Sequence, residues 1–192
     1  MVTAVLIQWK RQQNLPRIIE SIIKCPFIDE ILIRDNSEGE NLKCYGRYQL
    51  AKKAKNDIIY TQDDDCIVDI DKIYTEFLKD TTRMATGTIQ GFVDVVDDFT
   101  YGDKQLGLVG WGAFFKKDWI KVLDRYIDKH GKDECFYREA DRIFSILLGK
   151  HHNLVRTEIE LLEDEDKSIA LCEHPDHLKF KKLAIERALK LK

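Results

Sequence analysis

Three aspartates in a row, Asp63, Asp64 and Asp65, follow the run Ile58-Ile-Tyr-Thr-Gln62 and precede Ile67 and Val68. Adjacent carboxylates repel one another and are costly to hold beside a hydrophobic strand unless a cation neutralises them. Side chains alternate along an extended chain, so Asp63 and Asp65 leave on the same side. Two carboxylates placed so suit a hard divalent cation that also holds a phosphate. The other reading of the tripeptide is a solvated acidic turn. A calcium loop of the EF-hand kind fits poorly, because its glycine and closing glutamate positions hold Val68 and Tyr74. A second polar stretch, Asp35-Asn-Ser-Glu-Gly39, offers another carboxylate able to accept hydrogen bonds. An Asx turn is its alternative.

These residues need elements to place them. Ile58 to Thr61 has the composition of a buried strand. Thr3–Trp9 and Glu30–Arg34 are two more strand candidates. Between the first pair of strands, Leu15, Ile18, Ile19, Ile22 and Ile23 recur at helical spacing. Asn14 is expected to cap that helix, Pro16 to sit in its first turn and Pro26 to stop it. A helix from Tyr45 to Lys55 precedes the third strand. The order βαβαβ predicts an α/β fold with a mostly parallel sheet flanked by helices. The strand ends at Asp35 and Asp63 then open onto one edge of the sheet, where ligands bind in such folds.

Beyond Val68 the pattern predicts a helix over Ile70–Lys79, strands over Met84–Ile89 and Gly91–Val96, and a loop over Asp97–Leu106. The glycine-punctuated stretch Gly107–Phe115 leads into a strand, and Trp119–His130 and Tyr137–Leu148 read as amphipathic helices. Asn153–Ile159 is a last strand, Glu160–Asp166 an exposed acidic segment, and His174–Lys192 a closing helix.

The 192 residues fit a single domain with a sizeable core. A net charge of −3 gives no overall basic balance for nucleic acid. The five cysteines, Cys25, Cys44, Cys66, Cys135 and Cys172, form no CxxC pair, so neither a zinc ribbon nor a disulfide framework is indicated, and a reducing cytosol suits them. Cys66, beside the aspartates, reads as a small buried hydrophobe. Val2–Ile7 is too short for a signal-peptide core and no run reaches transmembrane length, so the expected location is cytoplasmic. Lys179, Lys181, Lys182, Arg187, Lys190 and Lys192 crowd the last helix beside Leu178, Leu183, Ile185 and Leu189. That helix is expected to be dispensable for chemistry and either packs on the domain or lies peripherally on acidic lipid.

Thr3–Trp9, the helix after Asn14, Glu30–Ser37 and Ile58–Val68 together resemble a glycosyltransferase of the GT-A fold, with Asp63–Asp65 as its DxD motif. The string Gln62-Asp-Asp-Asp-Cys-Ile-Val68 is similar to the exostosin-like group, with family 2 transferases as wider kin. The resemblance covers most of residues 3–159 and implies a nucleotide-binding half over 1–69 and an acceptor half, with the closing helix, over 70–192. It implies transfer of a sugar from a nucleoside diphosphate donor, UDP-linked, to a hydroxyl of a glycan or other acceptor. It implies further that Asp65 coordinates Mn²⁺ or Mg²⁺, that Asp63 approaches the metal or the ribose, and that Asp64 supports the turn. Asp35 and Asn36 match the nucleoside position, and Arg47 the place of a basic residue near the diphosphate. Trp111, within Gly110-Trp-Gly112, matches a stretch against the donor sugar. Asp141, in Arg138-Glu-Ala-Asp141, matches an acceptor-side base, with Glu139 as the alternative. Within His174-Pro-Asp-His177, His177 matches a late metal-binding histidine; the adjacent His151 and His152 diverge and read as surface residues.

Two other functions remain. Sugar-nucleotide nucleotidyltransfer uses a related sheet with carboxylate-bound Mg²⁺ and usually a loop rich in glycine and basic residues after the first strand; Gln8–Asn14 has no glycine, which counts against it. A non-catalytic nucleotide- or carbohydrate-binding domain is the third reading.

Overall fold

A computed structural model describes residues 1–90, 92, 94–96, 99–101, 106–149, 152–162 and 170–192. Strand β1 (Val2–Gln8) is buried on both faces, in keeping with its apolar run from Ala4 to Ile7. It lies between β2 (Ile28–Asp35) and β3 (Ile58–Gln62), parallel to both. In the sheet register Gln8 pairs with Asp35 and Leu6 with Gln62, so the three carboxyl ends form one polar edge. Helices α1 (Leu15–Ile23) and α2 (Tyr45–Ala51) make the crossovers. The βαβαβ expectation thus holds, although α2 ends at Ala51 rather than Lys55.

The third strand continues through the aspartates into β4 (Cys66–Val68) and helix α3 (Ile70–Lys79), which Asp69 caps by accepting from Lys72 N at 3.0 Å. Then come β5 (Ala85–Thr88), β6 (Asp94–Val96), β7 (Phe99–Tyr101), β8 (Ala113–Lys116), α4 (Val122–His130), α5 (Glu134–Leu148), β9 (Asn153–Arg156), β10 (Ile159–Leu161) and α6 (His177–Leu189). The main sheet has six strands in the order β2-β1-β3-β8-β5-β9. β8 alone runs against its neighbours, antiparallel to both β3 and β5.

The sheet has a core on each side. Ala4 and Leu6 of β1 face Ile18, Ile22, Ile73 and Phe77 of α1 and α3, with Phe114 at the centre. Val5, one residue out of phase, faces the opposite layer of Tyr48, Phe115, Tyr126, Phe136 and Phe144. The architecture is a mixed α/β sheet, mostly parallel and flanked by helices.

Four expectations for the second half need correction. The expected loop at Asp97–Leu106 contains β7, which pairs with β6 as a hairpin, while 97, 98 and 102–105 lie outside the described residues, as do 91 and 93 of the expected strand Gly91–Val96. The strand expected over Asn153–Ile159 divides, β9 joining the main sheet and β10 pairing with β4. A 3-10 turn at Lys117–Lys121 precedes α4. Helix α5 begins at Glu134 rather than Tyr137, capped by Asp133, which accepts from Phe136 N at 2.9 Å. Of the acidic segment Glu160–Asp166, residues 163–166 fall outside the description, and Glu160 lies in β10 with Arg17 at 2.8 Å.

Helix α6 is no appendage. Ala184, Ile185 and Ala188 are buried with Ile143 and Leu147 of α5, and Arg187 donates to Asp133 at 2.6 Å. Among the described residues no helix is long and apolar enough to cross a membrane. Removing residues 177–192 would expose that α5 face. The truncated chain should lose its cooperative thermal unfolding transition, measured by circular dichroism; a melting temperature within a few degrees of the full chain would show α6 to be dispensable for the fold.

Candidate functional site

The polar edge of β1, β2 and β3 floors a cavity of about 420 Å³. Its lining includes Gln8, Trp9, Asn36, Arg47 and all three aspartates, 63 to 65, together with residues of α5 and α6. Both non-glycine residues with left-handed backbone among those described, Lys10 and Lys43, flank it. Such conformations cost energy and persist where the surroundings fix them.

The three aspartates have separate fates. Asp64 is buried and turned inward, accepting from Trp9 N at 2.8 Å and from the Arg11 guanidinium at 2.7 Å. Burial pushes its carboxyl up, and the Trp9 and Arg11 bonds oppose that push. Its carbonyl accepts from the Asn14 side chain at 2.9 Å, so Asn14 secures the aspartate turn and makes no side-chain cap on α1. Asp63 and Asp65 remain partly exposed to the cavity. Asp63 accepts from Arg47, and Asp65 lies 3.4 Å from Arg11. The cation demanded by three neighbouring carboxylates is therefore supplied twice by the chain itself. Arg11 had no signal in the sequence beyond being a polar residue after a strand.

The turn is braced from behind. The Gln62 amide donates to Cys66 O at 2.6 Å and accepts from the Tyr60 hydroxyl at 2.6 Å. Cys66 is buried, as expected of a small hydrophobe. Asp63 N donates to Gly110 O at 2.8 Å. A β-carbon on Gly110 would overlap the Asp63 carboxylate, and Gly112 has a φ of +85° that side chains resist. The two glycines thus let residues 110–112 close over the aspartates. Trp111 between them lines the cavity, its ring 4.6 Å from that of Phe92.

Arg47 is 1% exposed and stands between Asp63 and Asp141, whose Oδ1 is 3.5 Å from its Nε. Burial works against its charge, and the carboxylates of Asp141 and Asp63 more than offset it. Its Nη1 has no hydrogen-bond partner and the side chain lines the cavity. Tyr48 OH donates to Asp141 at 2.8 Å. Burial raises the Asp141 carboxyl to about 6, with Arg47 pulling down and Asp63 pushing up.

Asp141 lies in the middle of its helix rather than in its first turns, because α5 begins at Glu134, so the helix dipole does little for this acid. Residues two apart on a regular helix point to different sides. Glu139 has non-helical backbone (φ −110°, ψ 19°), and at this kink Arg138, Glu139, Asp141 and Arg142 all line the cavity. Glu139 is buried, its carboxyl raised by desolvation and drawn down by Arg142, which donates at 3.3 Å.

Two expected positions sit apart from the aspartates. Asp35 does not line the cavity; it forms an Asx turn, accepting from Ser37 N at 2.7 Å, while the Gln8 amide nitrogen, in the orientation that satisfies it, donates to both Asp35 oxygens at 2.6 and 3.0 Å. Asn36 does line it, held by Arg34 at 2.9 Å. His177 lines the cavity from α6, where its Nδ1 is 3.8 Å from Glu139 rather than beside the aspartates. Among the described residues no group of three or more His, Cys, Asp or Glu is placed to hold a metal by itself. His152 is buried, 2.9 Å from Ser145 Oγ, and not the surface residue expected; His151 lies outside the described residues.

Replacing Arg47 by Met leaves two facing carboxylates without their shared cation. The variant should lose about 3–5 kcal/mol of stability in urea denaturation, the usual cost of breaking a buried pair. Adding Asp141→Asn should recover part of it. An unchanged midpoint in Arg47→Met would remove Arg47 as the structural link.

No family model matches this chain, and no curated protein matches it. Among solved structures it is similar to the crystal structure of HddC from Yersinia pseudotuberculosis, at 12% identity and a TM-score of 0.44, with 100% of each chain covered.

Proposed function

We propose that this protein is a metal-dependent glycosyltransferase of the GT-A type, moving a sugar from a UDP-linked donor to a hydroxyl acceptor. The supporting observation is that Asp63, Asp65 and Asp141 open into one cavity at the carboxyl ends of three parallel strands, with a buried arginine between two of them. Ligands of open α/β sheets sit at that edge.

Asp63 and Asp65 fit a hard cation in their chemistry: both are oxygen donors, both face the cavity, and Asp64 is already engaged with Arg11. Two carboxylates without a third protein ligand suit Mg²⁺ or Mn²⁺, which complete their shells with phosphate oxygens and water. When bound there, the ion would stabilise the negative charge that develops on the departing diphosphate. His177 has no part in this set. Arg47 lines the same cavity and keeps an Nη1 without a partner, a donor suited to a phosphate oxygen. Contacts to the nucleoside fall to Asn36 rather than Asp35, and Trp111 stands ready for a sugar face.

Asp141 is the base in this reading. A carboxylate with a pKa near 6 is ionised at neutral pH and basic enough to take a proton from an attacking hydroxyl. Tyr48 and Arg47 hold it in position. The reading entails inversion at the sugar carbon, because direct attack with base assistance displaces the diphosphate from the opposite face.

Asp65→Asn should abolish Mn²⁺-dependent UDP binding, measured by calorimetry, while melting is unchanged; full affinity in the variant would sink the metal assignment. Asp141→Asn should lower donor turnover by roughly 10²–10⁴-fold, the span of general-base catalysis, with UDP affinity retained. Turnover by the unmodified protein should fall as pH drops below about 6, where Asp141 takes up a proton. A flat profile across that range would move the base elsewhere.

A further inference from the structure

The two edges of the main sheet are finished differently. Strand β9 is four residues long and ends in Arg156. Strand β2 is eight residues long, carries no proline and pairs on one side only, with β1. Its register shift lies at its start, opposite Val2 and Thr3, so residues 30–35 form a regular strand. Natural sheets shorten, bulge or break an edge of this kind when it stays in solvent. We propose that β2 is the interface of a homodimer, pairing antiparallel with β2 of a second copy about a two-fold axis at Leu32. The dimer stands whatever the cavity catalyses.

The backbone selects this register. Successive residues of a strand turn their N–H and C=O to opposite edges. Asn36 N donates to Gln8 O at 2.8 Å, so Glu30, Leu32 and Arg34, in step with it, face β1. Ile31 and Ile33 face outward, where the sheet has no further strand. With Leu32 on the axis, each Ile31 meets Ile33 of the second copy, and the two exchange N–H···O=C bonds as antiparallel pairs do. Their side chains then fall together on one face of the joined sheet. Ile31 is half-buried against the layer of α1 and α3, and Ile33 is 41% exposed. Among the described residues, Ile33 is the one exposed large apolar side chain in a strand of the main sheet. Pairing covers it with Ile31 of the second copy.

The charges admit a second copy and limit the contact. Glu30 stands opposite Arg34 in this register, so unlike charges face each other. Each has a partner in its own chain, Glu30 accepting from Thr3 at 2.6 Å and Arg34 donating to Asn36 at 2.9 Å, so compatibility and not a new bond is what this pair contributes. One step further out, Asp29 and Asp35 would meet as like charges, and Asp29 O already accepts from Lys55 Nζ at 2.9 Å. The paired stretch is therefore 30–34. So short a contact makes a reversible dimer rather than a permanent one. Because the strands run oppositely, the two cavities, each at a carboxyl end, lie at opposite ends of the joined edge.

Sedimentation velocity on the full chain over a concentration series tests the proposal. The unmodified protein should pass from monomer to dimer as concentration rises. Ile33→Lys sets a charge among the apolar pairs and should weaken association about tenfold or more. Ile33→Pro should do the same, because it removes an outward N–H that β1 does not use, a change that edge strands tolerate. Ile23→Lys, on the exposed side of α1, should dimerise as the unmodified protein does. Amide exchange reads the interface without any variant: Ile31 and Ile33 should gain protection as concentration rises. A monomer at every concentration overturns the proposal. A dimer that persists in folded Ile33 variants, or that forms without slowing these two amides, overturns it as well, because the contact then lies elsewhere.

Discussion

The structure depends on a charge placed where water cannot reach it. Arg47 sits on a two-turn helix, Asp63 at the end of a strand and Asp141 in the middle of a distant helix. A buried guanidinium is tolerable only when carboxylates compensate its lost hydration, and the buried Asp141 is itself raised in energy unless the guanidinium is present. Neither Arg47 nor Asp141 is stable alone, so α2 and α5 must meet at this point, and Asp63 brings the end of β3 to them. That mutual requirement explains why α2, although short, has Tyr45, Gly46, Arg47, Tyr48 and Ala51 all buried. It also gives the cavity a fixed floor, because the residues that line it are those that hold the layers together.

The aspartate triplet shows the same economy. Repulsion among neighbouring carboxylates is relieved by sending them to different partners: the middle one inward to Arg11 and the backbone of Trp9, the first to Arg47, the third toward solvent within reach of Arg11. Only the outer two keep surface in the cavity to spare for a ligand. Alternation along an extended chain foretells that division, and it is visible in the bare sequence. What it does not foretell is the identity of the counter-charges, because Arg11 reaches Asp64 through the packing of β1 on β3 and not through any local spacing.

The same limit explains how far the fold was legible. Through Val68 the order of strands and helices follows from runs of one periodicity, and local chemistry is enough for the order though not for the end of α2 or the cap of α1. Later elements answer to partners instead. Asn153–Ile159 reads as one strand but serves two sheets, because β4 needs β10 as its mate. The kink at Glu139 has no proline or glycine to announce it; it follows from the burial of Glu139 with Arg142 beside the cavity. Lys181 is an ordinary member of a basic helix in sequence and becomes a cavity residue, with His177, only because Ala184, Ile185 and Ala188 fasten that helix to α5.

The reversed strand β8 has a consequence for how the chain is made. It fills the central gap between β3 and β5, yet it is translated long after β3. Until it emerges, β3 presents an open row of backbone donors and acceptors beside a hydrophobic face, the condition that invites pairing with another chain. At roughly 5–20 residues per second, synthesis leaves that edge unfilled for several seconds. Gln62, Asp63 and Asp64 close one end of the row with side chains that are polar or charged, so the stretch most exposed to a nascent neighbour is also the one least able to accept a flat, apolar partner. The acids that serve the mature cavity thereby act earlier as gatekeepers of the unfinished sheet.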